Sequence, residues 1–361
     1  MFLPALPFLR GKVRELDELL ARHTASIDVP MRFLDVPFTL KTDSEELALR
    51  LRDYFQAWLC DNAGSDDHIV YAFQGEGIYE KDKLLDVVRR EGKSVKEAYY
   101  DIDDGRVVLK KRTGATVYIK DKVRYVVGNL LLHLHQLVNV IDEVYEEDFM
   151  DRGYALIHAS AVADAVGRGI MLTSSSGVGK STLALALVEQ GFKFLSNDRV
   201  LAKVEADHVH LVGVPKKPRV NPGTILSLAS LSHIISTEER QMYAAKCRAE
   251  LWQFEHKYDA DVDAIFGPGT FRLEAILSTV YILNWKFDQH NPVIEILSLD
   301  EATDMIRPQV LSLDQRRRQA VRPLEAEDQL RSICQVVPVF NVKGGVGMAE
   351  LTGMIQKRQG A

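Results

Sequence analysis

Between two apolar runs, residues 169–173 and 183–188, the chain reads Ser174, Ser175, Ser176, Gly177, Val178, Gly179, Lys180, Ser181, Thr182. The first run is expected to form a short buried strand. The second is expected to form a helix that ends at Gly191, a residue suited to a C-cap. A strand, a glycine turn and a helix opening with Lys-Ser-Thr confine the chain to few folds. The turn must wrap closely around something small, and the helix must start with its free N–H groups facing it. Gly177 and Gly179 permit the wrap because they carry no Cβ. Successive backbone N–H groups and the helix N-terminus then favour a phosphate. In such a loop Lys180 reaches the β and γ phosphates and the Ser181 hydroxyl binds Mg²⁺. ATP or GTP is therefore the first ligand to consider, with residues 174–182 as its cradle. The first glycine of the pattern G-x-x-x-x-G-K-[ST] falls on Ser174, which leaves Gly177 carrying more of the bend. A chance glycine-rich turn is the alternative; the Lys-Ser-Thr ending and both flanks argue against it.

Residues 192–200 are expected to form a second strand ending in Asn197 and Asp198. An aspartate at the C-terminal end of a neighbouring parallel strand lines the crevice where folds of this kind hold Mg²⁺. The plainer alternative is a turn, since Asn-Asp is common turn chemistry.

The Ser-Gly-Val-Gly-Lys-Ser run, the apolar helix, Gly191, the short strand and the Asn197-Asp198 pair together resemble the catalytic domain of the HPr kinase/phosphorylase family. His158, within residues 156–162, stands where that family has a histidine ahead of its loop. The resemblance covers roughly residues 150 to 225. It implies an α/β fold of the HPr kinase and phosphoenolpyruvate carboxykinase type, with a mixed sheet. It also implies ATP and Mg²⁺ as cofactors, and transfer of the γ-phosphate to a serine hydroxyl of a partner protein. In the family a pair of aspartates completes the site. Asp198 resembles the second and would hold metal. The first is the presumed base, and here it is Asn197, whose amide accepts no proton at neutral pH. His158 is the substitute base, an imidazole being the side chain whose charge changes nearest neutrality; its plain alternative is a hydrogen-bonded core histidine. Otherwise the reaction runs on positioning and charge stabilisation, which phosphoryl transfer allows. The missing carboxylate also predicts a kinase without efficient phosphorylase activity.

Beyond this segment, residues 214–224 are rich in Pro, Lys and Arg. Three prolines predict an extended loop. Lys216, Lys217 and Arg219 are candidates to contact phosphate or an acidic partner segment, beside Asn197. Asp259, Asp261 and Asp263 alternate, and on a strand they would share one face. A cation site there is the weaker expectation, an exposed face the stronger. Residues 343–347 contain three glycines, but the lysine precedes them, so a tight turn before a last helix is expected. In the C-terminal half, residues 280–287 are expected to form a strand paired with residues 293–297. The triple arginine at 316–318 reads as a helix face.

A chain of 361 residues suffices for two domains. Residues 1–150 are expected to form a smaller α+β domain concerned with target recognition, and residues 151–361 the kinase domain. In the first, strands are expected over 31–40, 69–74, 99–102, 107–112, 116–119 and 122–127. A hairpin is expected at residues 103–105, and helices over 10–22, 44–59 and 130–145. Net charge is −6 with no dominant basic block, which disfavours nucleic acid as the main partner. The three cysteines, Cys60, Cys247 and Cys334, form no CxxC pair, in keeping with a reducing cytoplasm. No leader pattern and no run of about eighteen apolar residues occurs, so no membrane span is expected. A homo-oligomer is compatible with all of this. Three functions fit: a serine kinase acting on a protein or peptide, a small-molecule kinase, and a nucleotide-binding regulatory module with weak catalysis.

Overall fold

The computed structural model describes residues 14–62, 64, 68–87, 95–102, 105–120, 122–247, 250–251, 254, 256–285, 291–311 and 323–360. The expected hairpin tip at residues 103–104 and the arginines at 316–318 lie outside these. The chain divides into two compact units, the boundary falling between Tyr145 and Glu146.

The first unit is built on an eight-stranded sheet. Its strands are β1 (Ile27–Phe33), β2 (Val36–Thr42), β3 (His68–Gln74), β4 (Leu85–Asp86), β5 (Glu97–Ile102), β6 (Gly105–Lys110), β7 (Thr116–Lys120) and β8 (Val123–Gly128). They lie in the order β1-β2-β3-β8-β7-β6-β5-β4, with β3 parallel to both its neighbours. The single strand expected over residues 31–40 is two. The chain reverses at Leu34, which adopts φ 57°, and β1 and β2 pair antiparallel. Helix α1 (Arg14–Arg22) buries Leu16 and Leu19 among Tyr71, Phe73, Tyr100, Tyr118 and Tyr125. Helix α2 (Glu45–Tyr54) is capped by Ser44, whose hydroxyl accepts from the Leu47 N–H, and stops short of residue 59. Helix α3 (Leu134–Asp151) follows, four residues later than the sequence suggested.

The second unit holds the conspicuous glycine loop. Its strands are β9 (Ala155–Ile157), β10 (Ala159–Ala163), β11 (Arg168–Thr173), β12 (Lys193–Ser196), β13 (Val200–Glu205), β14 (His208–Val212), β15 (Arg219–Val220), β16 (Tyr258–Asp259), β17 (Glu274–Leu283), β18 (Pro292–Ile296) and β19 (Val339–Gly344). The main sheet runs β12-β10-β11-β17-β14-β13-β9, with β19 beside β17 and β18 outside β19. β17 is parallel to β11 and to β19, and the other pairs are antiparallel, so the sheet is mixed.

This order corrects two expectations. β12, which leads to Asp198, is not the neighbour of β11. β10 lies between them, antiparallel to both, so β11 and β12 still run in the same direction. β18 pairs with β19 rather than β17, because β19 occupies the parallel position beside β17 that the hairpin would have needed.

Helix α4 (Lys180–Glu189) has no polar side to speak of. Leu183, Ala184, Leu185, Ala186, Leu187 and Val188 are all buried, which fits a helix enclosed on several sides. It packs in one apolar cluster with Leu172, Phe194, Tyr281, Trp285, Leu351 and Ile355. A second cluster joins Met171, Leu195, Val280 and Val339 to Ala302, Ile306, Leu330 and Ile333. Met171 and Leu172, and likewise Phe194 and Leu195, fall in different clusters because successive side chains of a strand point to opposite faces of the sheet.

The proline-rich segment is not wholly extended. After Asn221, helix α5 (Pro222–Ser227) begins at the proline itself. Proline is tolerated at the first helical position because its missing N–H would have no partner there anyway. The three alternating aspartates do not share a strand face. Asp259 ends β16, Asp261 caps helix α6 (Val262–Phe266), and Asp263 accepts from the N–H groups of Thr270 and Phe271.

Gly213 shows how tightly the end of β12 is held. A Cβ added there would collide with the Leu195 carbonyl, and the Gly213 N–H already donates to the Leu273 carbonyl at 2.7 Å. Gly213→Ala should therefore destabilise the protein by about 1–3 kcal/mol in urea unfolding. An unchanged midpoint would mean the backbone moves aside without cost.

Candidate active site

Strand register brings the candidate residues to one edge of the sheet. Ala159, which opens β10, is opposite Thr173, which closes β11. Two residues further along β10, Ala161 is opposite Ser196, which closes β12. His158 immediately precedes the first of these strands. The glycine loop follows the second, and Asn197 and Asp198 follow the third. His158 also separates β9 from β10, which lie far apart in the sheet order. His158 is the single residue between β9 and β10, and residues 197–199 are the short link between β12 and β13.

The loop bends where the sequence has glycine. Gly177 adopts φ 89° and Gly179 φ 107°, and Gly179 is the N-cap of α4. Residues with a Cβ rarely adopt these values. Ser174, in place of the first glycine, is buried, whereas Ser175, Ser176 and Gly177 are exposed. Lys180 is only 6% exposed. Its Nζ folds back to donate to the carbonyls of Ser174 at 2.9 Å and Ser175 at 3.2 Å. Burial pulls its pKa down to about 8, against the opposing attraction of Asp198. Strand register sends the loop that precedes Lys180 and the turn that holds Asp198 out of the sheet at the same edge. Next along α4, Ser181 is half-buried, and the Thr182 hydroxyl meets that of Thr224 in α5 at 2.8 Å.

His158 is part-buried, with its side chain 20% exposed. Its Nε2 is 3.3 Å from Asp198 Oδ1, and its Nδ1 is 3.2 Å from Gln309 Oε1. Its backbone N–H donates to the Gln309 carbonyl at 2.8 Å. The hydrogen bond from His158 holds the Asp198 carboxyl well below the usual carboxylate range. Partial burial opposes this, and the charges of His158, Arg199 and Lys257 assist. The Asp198 side chain is 74% exposed, so water screens the more distant charges and the direct contact with His158 dominates.

Two hydroxyls pin the turn that presents Asp198. Ser160 Oγ donates to the Asn197 carbonyl at 2.6 Å, and Ser196 Oγ to the Arg199 carbonyl at 2.5 Å. Arg199 is anchored in turn on the fully buried Glu146, at 2.6 Å. Asn197 Nδ2 donates to the Arg219 carbonyl at 3.5 Å, while its Oδ1 is buried without a hydrogen-bond partner among the described residues. Two candidate phosphate contacts are already engaged, Lys217 with Asp261 at 2.6 Å and Arg219 with Asp259 at 3.2 Å.

Gln309 and Trp285 join the site without a sequence signal of their own. Gln309 arrives because Val310 bridges to Ile157 and the Leu311 N–H donates to the Leu156 carbonyl. Trp285 follows β17, and its Nε1 donates to the Val178 carbonyl at 2.7 Å. Position relative to β11 was its only clue, and that requires knowing which strand runs parallel to β11. Among the described residues no group of three or more His, Cys, Asp or Glu side chains could hold a metal ion. An exposed carboxylate at Asp198 and the Ser181 hydroxyl nevertheless offer hard oxygen donors of the kind Mg²⁺ takes alongside phosphates.

Residues 154–221, which supply His158, the loop and Asp198, match the family model of the HPr Serine kinase C-terminal domain. Curated HPr kinase/phosphorylases are similar over short stretches. That of Chlorobaculum tepidum is 38% identical over 71 residues, 19% of this chain and 20% of the relative. That of Lactobacillus delbrueckii subsp. bulgaricus is 42% identical over 59 residues, 16% of this chain and 18% of the relative. That of Levilactobacillus brevis is 29% identical over 130 residues, 36% of this chain and 32% of the relative. The chain thus spans a third or less of the length of these relatives. Among solved structures, the HPr(Ser) kinase/phosphatase from Coxiella burnetii aligns with 56% of this chain and 95% of its own, at 13% identity and a TM-score of 0.31. The domain match falls on the residues that meet at the sheet edge, and over residues 154–221 this chain is similar to the HPr Serine kinase C-terminal domain.

Proposed function

We propose that the protein is an ATP-dependent phosphotransferase that moves the γ-phosphate to a serine hydroxyl of a partner protein or peptide. The observation that carries this reading is the contact of Asp198 with His158 at the sheet edge where the loop leading to Lys180 begins, ahead of a helix that opens on left-handed Gly179. The loop N–H groups and the α4 N-terminus would hold the ATP phosphates. Lys180 would exchange its two carbonyl partners for β- and γ-phosphate oxygens. Ser181 and Asp198 would hold Mg²⁺, which would offset charge on the phosphates when bound. Asp198, kept ionised by its neighbours, suits a metal ligand better than a proton acceptor. His158 has both ring nitrogens engaged, so direct proton abstraction would require Nε2 to leave Asp198. Its resting role is to orient that carboxylate, and the chemistry would rest mainly on positioning and charge. Residues 1–150 would select the target and residues 151–361 would catalyse, in the cytoplasm. No described helix is long and apolar enough to cross a membrane.

Labelled ATP with Mg²⁺ and host lysate should yield a labelled polypeptide. The label should fall at least about a hundredfold with Lys180→Ala or Asp198→Ala, the size of loss typical for a group that stabilises transition-state charge. ATP binding without any labelled polypeptide would transfer the proposal to a small-molecule acceptor or a nucleotide-sensing module. Incubating the phosphorylated partner with inorganic phosphate should release little pyrophosphate, and Asn197→Asp should raise that release. Rapid release by the unmodified protein would contradict the assigned cost of losing the carboxylate. Affinity for ATP should also depend on pH. With its pKa lowered to about 8, Lys180 carries its charge below that pH and loses it above. Binding should be level below about pH 8 and then weaken by up to roughly tenfold per unit. Titrations from pH 6.5 to 9.5 check this, and Lys180→Met should flatten the profile.

A further inference from the structure

The glycine loop has two side-chain supports, on different carbonyls. Lys180 holds Ser174 and Ser175, and Trp285 holds Val178. The lysine would leave its carbonyls to meet a phosphate, but the tryptophan need not. Trp285 is only 6% exposed and packs in the same apolar cluster as α4. Its Cζ2 lies 3.5 Å from the position a Cβ on Gly179 would take, so the ring lies directly against the turn. The ring has a firm base. Ile282 in β17 is opposite Thr173, the last residue of β11, so β17 and the residues after it continue past the point where the loop begins. The Asn284 N–H donates to the Val342 carbonyl of β19 at 2.8 Å, which fixes the backbone just before the indole.

The hydrogen bond does more than hold the loop in place. The Val178 carbonyl and the Gly179 N–H belong to one planar, trans peptide, so they point in opposite directions. Drawing the carbonyl to the indole turns the Gly179 N–H the other way. If this peptide flipped, a carbonyl oxygen would face the anion instead of an N–H donor. Gly179, lacking a Cβ, offers little resistance to such a flip by itself. Ser174, standing where the pattern has a glycine, removes one source of loop geometry, and the tether at Val178 supplies another.

We infer that Trp285 is a positioning residue for phosphate binding, fixing the Val178–Gly179 peptide so that the Gly179 N–H faces the phosphate chain of a nucleotide. The inference rests on the phosphate-loop reading above. It is tested on the full chain with Trp285→Phe, and with the indole replaced by benzothiophene, which keeps the shape and lacks the N–H. ATP, ADP and adenosine are titrated calorimetrically against each, with Lys180→Ala alongside and the melting temperature of each free protein recorded. Removing one buried hydrogen bond should weaken ATP and ADP roughly fivefold to tenfold. Adenosine affinity should stay unchanged, and the benzothiophene protein should melt cooperatively and no more than about 4 °C lower. Equal ATP affinity in the benzothiophene protein, while Lys180→Ala binds poorly, would overturn this inference and leave the phosphate loop intact. An equal loss for adenosine and ATP would also overturn it, since that marks general damage to the fold. If the unmodified protein binds neither ATP nor ADP, the phosphate-loop reading fails and the inference with it.

Discussion

The direction of β10 governs the site. Because it runs antiparallel to β11 on one side and β12 on the other, its first residue lies beside the last residue of one and near the last residue of the other. One strand start and two strand ends therefore reach the same edge. A purely parallel sheet would also have put the loop and Asp198 together, but it would have carried the start of the intervening strand, and with it His158, to the opposite edge. The mixed sheet makes the contact between His158 and Asp198 available.

Given that edge, the electrostatics follow from burial and short contacts. Arg199 is fixed on Glu146, a fully buried carboxylate, so the turn at residues 196–199 has an internal anchor. Removing one partner of a buried pair strands the other charge, which commonly costs about 3–5 kcal/mol, so this pair resists loosening. Asp198 is the outward residue of the anchored turn, with His158 against it. Lys180, by contrast, is held by two carbonyls that a phosphate can replace. The rigid groups are those that set geometry, and the group with exchangeable partners is the one expected to meet ligand.

Much of this was legible in the sequence, for identifiable reasons. The strand at residues 168–173, the helix after it and the positive φ of Gly177, Gly179 and Gly191 are local consequences of apolar runs and glycine. Ser44 capping α2 is likewise local. What was not legible depends on which segments become neighbours. The reversal at Leu34 had only Asp35 and Pro37 as weak signals, and a leucine is an unusual residue to take the positive φ. β18 was assigned to the nearer strand because the insertion of β19 comes from residues more than forty positions downstream. Gln309 and Trp285 reach the site by the same long-range route, and neither residue type announces a role there.

The amide at Asn197 bears on the direction of the proposed chemistry. A carboxylate at this position would stand next to Asp198, repelling it and any incoming phosphate. With the amide, Asp198 faces His158, Arg199 and Lys257 without a second anion on its own turn. That balance favours drawing a polyanion and a metal ion into the edge. It leaves the deprotonation of an acceptor hydroxyl to late proton movement, after the phosphoryl group has begun to transfer, a sequence that a loose transition state tolerates. Attack by inorganic phosphate on a phosphoserine would gain less on this reading, because the nucleophile's proton must pass to the serine oxygen and a carboxylate at position 197 could relay it. Asn197 Oδ1 accepts only, and its Nδ2 is occupied by the Arg219 carbonyl. On the proposed reading, the amide would ease the approach of ATP and would leave phosphorolysis without a group to relay that proton.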